Sequence, residues 1–170
     1  KKIDFKKRYI QSNGKKFNFD VLINTIAPDT LFDFKFGKLK FIGRDFHKIV
    51  FPVKEVFPKD VFFLYYPGDE KFTRLVEYKK FTRHKSKTTL VGMEIPSLNG
   101  RLYPLPISKE QNLAQKYFKL FPKNTFSIGR AGTYRYEIDI DDCIYQSLEI
   151  KKILEEDNWQ SPIIGKNTLF

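Results

Sequence analysis

Apolar positions along this chain come in short runs whose period changes twice. Phe17–Ile26, FNFDVLINTI, alternates and then becomes continuously apolar, which predicts a buried strand ended by Ala27-Pro28-Asp29. Asp29 is placed to cap a short helical turn through Phe34. Leu39–Ile42 predicts a short strand. His47–Val56 predicts another, with Pro52 marking an edge or a break because proline has no N–H for a ladder. Val61–Tyr66, VFFLYY, is followed by the turn residues Pro67-Gly68-Asp69, and Phe72–Phe81 and Lys87–Ile95 predict two further strands. Links this short favour an antiparallel meander. At Ser108–Leu120 the period becomes helical. Ser108 and Gln111 have capping-box spacing, Leu113, Tyr117 and Leu120 share a face, and Pro122 stops the helix. Thr125–Ile128 predicts a strand. Asp139–Leu154 predicts a second helix with Ile144 and Leu148 along one side, and Asp139, Asp141 and Asp142 suit its N-terminus. The expected fold class is α+β, a predominantly antiparallel or mixed sheet with two C-terminal helices. One domain is expected over 1–154, and an exposed tail with weak order over 155–170.

Composition narrows the function classes. The chain has 170 residues, 41% hydrophobic, with 18 phenylalanines, enough for a real core and too many for disorder. Its apolar runs are too short to cross a bilayer, and its N-terminus is too polar for a signal peptide. Cys143 is the only cysteine, which excludes an internal disulfide and fits a reducing, cytoplasmic setting. His47, His84 and Cys143 lie too far apart in sequence for metal-ligand spacing, so no metal site is expected. A net charge of +11 favours phosphate-bearing partners, namely nucleic acid, anionic membranes or nucleotide substrates. The lysines are dispersed, and pairs such as Lys15-Lys16, Lys79-Lys80 and Lys151-Lys152 read as solvated positions.

Thr125–Tyr136, TFSIGRAGTYRY, is the stretch that bears most on chemistry. A strand that ends in glycine brings backbone N–H groups to a sheet edge, where a phosphate can approach closely. Arg130 adds a planar fork that matches phosphate oxygens. Arg74 lies in a second such place. Alternation puts Phe72, Arg74 and Val76 on one face, and an arginine among apolar neighbours is costly unless it meets an anion.

Taken in order, DTLFDFKFGKL (Asp29–Leu39), FTRLVEY (Phe72–Tyr78), LVGMEIP (Leu90–Pro96), LYPLP (Leu102–Pro106) and the TFSIGRAGTYRY segment resemble UDP-galactopyranose mutase, a flavoenzyme family that interconverts the pyranose and furanose forms of UDP-galactose. The family pattern runs as an aspartate, FDYxYGKL, YTRxxEH, REY, YYP and GRxGxYxYxxMD. The resemblance covers roughly Phe19 to Leu148 and rests on the ordered set of motifs rather than on any one of them. It implies that Arg74, Tyr103 and Tyr136 bind the substrate phosphates, that Glu94 matches the glutamate of REY, and that Gly129, Arg130 and Asp139 border the FAD. The chain departs from the pattern at three places. Leu102 replaces the first tyrosine of YYP. Met93 and Ile95 flank Glu94 where the family has arginine and tyrosine. Asp139 needs a one-residue insertion to match.

The resemblance implies that reduced FAD carries the difficult step, so no catalytic side chain is expected. The substrate is a UDP-sugar, nucleic acid is not an expected partner, and a homodimer is left open. The nine glycines contain no GxGxxG, the cradle for the FAD pyrophosphate. The chain is therefore expected to be the C-terminal part of a longer flavoprotein, an FAD-dependent α/β protein whose N-terminal FAD-binding half is missing here. On its own it is expected to be inactive and to bind no FAD tightly. Arg74, Tyr103, Arg130 and Tyr136 are expected on one surface. An amine-oxidase-like FAD oxidoreductase and a basic nucleic-acid-binding module are the alternatives.

Overall fold

The structure, a computed structural model, describes residues 2–156. In chain order the elements are β1 (Lys2–Asp4), β2 (Tyr9–Ser12), β3 (Lys15–Asn18), β4 (Leu22–Asn24), α1 (Pro28–Leu31), β5 (Phe41–Phe51), β6 (Phe63–Tyr65), β7 (Arg74–Glu77), α2 (Tyr78–Thr82), β8 (Thr89–Ser97), β9 (Tyr103–Pro104), α3 (Ser108–Phe118), β10 (Thr125–Ser127), α4 (Gly129–Gly132) and α5 (Ile140–Glu155). The class is α+β with mostly antiparallel pairing, as expected. The chain divides into two compact units, Phe41–Leu102 and the segments up to Lys40 and from Tyr103 onward. Of the expected tail, 157–170 lies outside the described residues.

The unit Phe41–Leu102 is antiparallel as expected but is not a simple meander: β6, β7 and β8 follow one another, whereas β5 pairs with β8 rather than with β6. Its strands run in the order β6-β7-β8-β5, each antiparallel to the next. The two strands expected at Leu39–Ile42 and His47–Val56 are one continuous β5, which ends at Phe51 because Pro52 cannot donate to the ladder. Val76 and Val91 are buried where β7 and β8 meet, and Phe57 is buried in the loop after β5. The strand expected to run through Phe81 stops at Glu77, and α2 follows. The cause is the buried Glu77 carboxylate. It accepts the N–H groups of Val56 and Phe57, each at 3.0 Å, and the Thr89 hydroxyl at 2.7 Å. Lys80 then reaches back to the Phe57 carbonyl at 2.7 Å, which holds the helical turn against that loop.

The other unit begins with the antiparallel sheet β1-β2-β3. The single buried strand expected over Phe17–Ile26 is instead two short strands, and Phe17 is 56% exposed. A bend separates them, held by the Asn124 amide donating to the Asp20 carbonyl at 2.6 Å, and β4 then pairs in parallel with β10. Asp29 does not cap a helix. Ala27 takes the N-cap of α1, while the fully buried Asp29 carboxylate accepts the N–H groups of Thr30 at 2.8 Å and Leu39 at 2.9 Å. It thereby closes the DTLFDFKFGKL loop at both ends.

Helix α3 buries Glu110, Ala114, Tyr117 and Phe118. Tyr117 fastens the same loop, since its hydroxyl donates to the Gly37 carbonyl at 2.6 Å and accepts the Phe36 N–H at 2.8 Å. Ser108 is the first helical residue rather than the cap. Gln111 donates to the Tyr134 carbonyl at 3.2 Å instead of completing a capping box. The capping box occurs at α5, between Asp139 and Asp142. The inner face of α5 carries Gln146 and Ile150, one turn apart. Ile144 and Leu148, which share another side of the helix, are exposed.

Candidate functional site

The sequence-predicted residues fall into two groups, one in each unit. In the sheet unit, β7 and β8 pair in a register that sets Arg74 directly opposite Glu94. The Arg74 guanidinium donates to Glu94 Oε2 from Nη2 at 2.7 Å and from Nε at 3.0 Å. Its Nη1 donates to the Tyr65 hydroxyl at 3.3 Å, and the guanidinium carbon lies 5.6 Å from the centre of the Tyr65 ring. Arg44 comes from β5 and donates from Nη1 to the same Glu94 Oε2. The Tyr78 hydroxyl donates to Oε1 at 3.3 Å. Glu94 is therefore held at both oxygens, with its side chain only 3% exposed, while those of Arg44 and Arg74 are 21% and 26% exposed.

The electrostatics follow from this geometry. Burial pushes the Glu94 carboxyl up, but hydrogen bonds and charge from Arg74 and Arg44 outweigh it and hold the group below its ordinary value. Burial also disfavours the charged form of Arg74, yet its bonds to Glu94 and Tyr65 keep it above its ordinary value. Burial and the neighbouring Glu94 charge raise the Tyr78 phenol, so it stays a donor. Two permanent cations thus face one carboxylate, and the cluster keeps a net positive charge toward solvent.

In the other unit, β10 ends at Ser127 and the chain turns into the single turn α4. Gly129 has φ +73°, which a residue with a Cβ rarely adopts. Gly132 serves close approach, because a Cβ there would lie 3.0 Å from the Asn24 carbonyl oxygen and 3.1 Å from Ser127 Oγ. Arg130 lies beside two tyrosines. Its guanidinium carbon is 5.6 Å from the ring centres of both Tyr103 and Tyr136, whose rings are 6.0 Å apart. Nε of Arg130 donates to the Ile138 carbonyl at 3.0 Å and Nη2 donates to Asp139 Oδ1 at 2.6 Å. Tyr103, Gly129, Arg130, Tyr136 and Asp139 are therefore neighbours, while Arg74 and Glu94 belong to the sheet unit. Of the four residues expected on one surface, Tyr103, Arg130 and Tyr136 are neighbours in one unit, and Arg74 belongs to the sheet unit.

Three residues of the Glu94 cluster escaped the sequence reading. Tyr78 lies inside a motif segment, and Tyr65 in a predicted strand. Arg44 has no motif signal. Only the β5–β8 register, which pairs Arg44 with Pro96 and Phe46 with Glu94, makes Arg44 a diagonal neighbour of Glu94. Among the described residues no group of three His, Cys, Asp or Glu side chains could hold a metal, and no helix is long and apolar enough to cross a membrane.

A sequence profile described as UDP-galactopyranose mutase matches residues 1–136. The chain belongs to the UDP-galactopyranose mutase family. A Klebsiella pneumoniae protein named "Probable UDP-galactopyranose mutase" is 29% identical over 128 residues, covering 71% of this chain and 33% of its own length. A crystal structure of reduced UDP-galactopyranose mutase superimposes with a TM-score of 0.70 at 18% identity, covering 98% of this chain and 47% of its own. The chain thus spans about a third of the curated mutase relative and under half of the solved one. Within the family-matched residues lie Arg74, Glu94, Tyr103, Gly129, Arg130 and Tyr136, whereas Asp139 follows the matched segment.

The residues beside Arg130 can be tested against the flavin that the family implies. Arg130 stands beside two aromatic rings with its guanidinium already paired to Asp139 Oδ1 at 2.6 Å, so an anionic group would meet it as one half of an ion pair. The Gly129 N–H is already donated to Gln146 Oε1 at 2.8 Å, so it belongs to the fold rather than to a phosphate. Arg130 fits such a group only through N–H groups beyond those it gives to Ile138 and Asp139, and the glycine does not contribute a donor.

Proposed function

We propose that this chain supplies the nucleotide-sugar phosphate site and one edge of the flavin site of a UDP-galactopyranose mutase, an isomerase that interconverts pyranose and furanose rings. The observation that carries this reading is the Arg44–Glu94–Arg74 cluster. Two arginines share one buried carboxylate, and Arg74 stays partly exposed with N–H groups beyond those it has committed. An isolated Arg–Glu pair would be neutral and would attract no anion. This cluster is positive and preorganised.

The chemical demand on the protein is to hold a pyrophosphate while it becomes a leaving group and then returns. Donors fixed before the reaction stabilise that developing charge without reorganisation. Arg74 provides such donors in the sheet unit; in the other unit Tyr103 and Tyr136 carry hydroxyls, a group that can donate to phosphate oxygens while its ring packs. Arg130, oriented by Ile138 and Asp139, would border the flavin. Reduced FAD, when bound, supplies the covalent chemistry at the sugar, so no protein nucleophile is required. The chain alone is expected to retain no flavin through dialysis; a yellow product with stoichiometric FAD would overturn that point.

The test of the phosphate site is UDP titrated into the chain and into Arg74→Ala, followed by calorimetry. Charge-assisted contacts worth about 1.5–3 kcal/mol predict about ten- to a hundredfold weaker binding, with Arg74→Lys intermediate because it keeps the charge and loses the fork. Equal UDP affinity in wild type and Arg74→Ala would overturn the reading.

A further inference from the structure

We propose that Arg44 is a positioning residue of the anion site: it neutralises and fixes Glu94, and so leaves Arg74 able to turn its charge toward an anionic ligand. The inference rests on the phosphate reading above and names a residue outside the motif segments quoted from the sequence.

The geometry carries it. Glu94 Oε2 accepts from Nε and Nη2 of Arg74 and from Nη1 of Arg44. Its other oxygen accepts from Tyr78. The Tyr78 ring is itself wedged over β8, since a Cβ at Gly92 would stand 2.5 Å from it. Glu94 is therefore faced by Arg44 from β5, Arg74 from β7 and Tyr78 from α2, and Tyr65 from β6 faces Arg74. Three of the five N–H groups of Arg74 are used, one by Nε, one by Nη2 and one by Nη1.

Remove Arg44, and Glu94 has Arg74 as its only cation in the cluster. An incoming phosphate must then compete with a buried carboxylate for that one guanidinium. With Arg44 in place the carboxylate keeps a cation of its own, and Arg74 can be shared. The two guanidinium groups also repel each other, so each is held where the carboxylate puts it rather than packed against its twin.

The experiment uses the full chain, Arg44→Gln and Arg44→Lys. Two readouts are taken: UDP affinity, and the Nε–H resonance of Arg74 in nitrogen–proton NMR without ligand. Arg44→Gln should weaken UDP about tenfold, and its affinity should now rise as pH falls through the Glu94 titration, because protonating Glu94 releases Arg74. Arg44→Lys should restore much of the affinity and remove that pH dependence. The Arg74 resonance should shift in Arg44→Gln and return toward the wild-type position in Arg44→Lys. Unchanged UDP affinity and an unchanged Arg74 resonance in Arg44→Gln would overturn the proposal, as would an affinity loss of the same size at every pH. If the wild type binds no UDP while the Arg74 resonance still follows Arg44, the phosphate reading falls and the positioning by Arg44 stands.

Discussion

Arg74 is tied to a buried carboxylate, and this changes what its removal should do. An arginine alone in a polar cleft could be deleted at little cost to stability. Here Arg74→Ala strips Glu94 of two hydrogen bonds and one of its two cations. Arg44 and Tyr78 remain, so the penalty is smaller than for a carboxylate left wholly unpaired. The expected loss is about 1–3 kcal/mol in denaturant unfolding. An Arg74→Ala, Glu94→Gln double variant should recover part of it, because the buried charge is gone. If the two losses simply add, Arg74 and Glu94 are not coupled in the way the geometry states. Arg74 and Glu94 were both legible from motif position, and strand alternation already asked for an anion near Arg74. What alternation cannot supply is which anion, because that depends on β7–β8 register. Arg44 was illegible for the same reason, as its link to Glu94 crosses from β5 on a diagonal.

At the scale of elements, the motif segments turn out to hold the chain together as well as to present groups. DTLFDFKFGKL is a loop closed by its own first residue, with Asp29 accepting the Leu39 N–H at 2.9 Å and Tyr117 bonded to Phe36 and Gly37. Asp29→Ala should strand the Leu39 N–H in a buried site and cost about 1–3 kcal/mol, with raised amide exchange over Thr30–Leu39 as the local sign. Exchange raised evenly over the whole chain, or not raised at all, would show that Asp29 does not staple this loop. The β6–β7–β8 run, α3 and α5 were readable from period and turn residues, whereas the pairing of β5 with β8 in place of β6 was not. The errors have a common origin. Phe17–Ile26 has the apolar density of a core strand, but β3 and β4 pair with different partners, and the bend at Asp20 is set by Asn124, far away in sequence. The end of β7 likewise depends on Glu77 capturing N–H groups of the Val56–Phe57 loop. Local pattern carries no information about such distant hydrogen bonds. On α5 several apolar side chains compete for one inner face, and period alone does not choose Gln146 and Ile150 over Ile144 and Leu148.

For the molecule as a whole, two buried carboxylates in the sheet unit make stability depend on acid in a defined direction. Glu94 and Glu77 are both held below the ordinary carboxylate value. In each case burial opposes ionisation. It is outweighed at Glu94 by hydrogen bonds from Arg74 and Arg44, and at Glu77 by bonds from Phe57, Thr89 and Val56 together with the Lys80 charge. When the folded value is the lower one, the unfolded chain takes up protons first as pH falls. Their stabilisation is therefore complete above the unfolded value of about 4.3 and is lost as pH drops from there through the folded values. A chain with net charge +11 also gains self-repulsion in acid, which would lower stability without either residue. The variants Glu94→Gln and Glu77→Gln separate the two effects. Gln cannot ionise, so each variant should fall well below wild type in urea unfolding at pH 7. The gap should narrow toward pH 3, where the wild-type carboxyls are being protonated while the general repulsion acts on all three proteins alike. A gap of equal size at pH 7 and pH 3 would mean that shape rather than charge sets the worth of these residues. The Arg44–Glu94–Arg74 cluster would then be a packing feature, and its standing as a preorganised anion site would go with it.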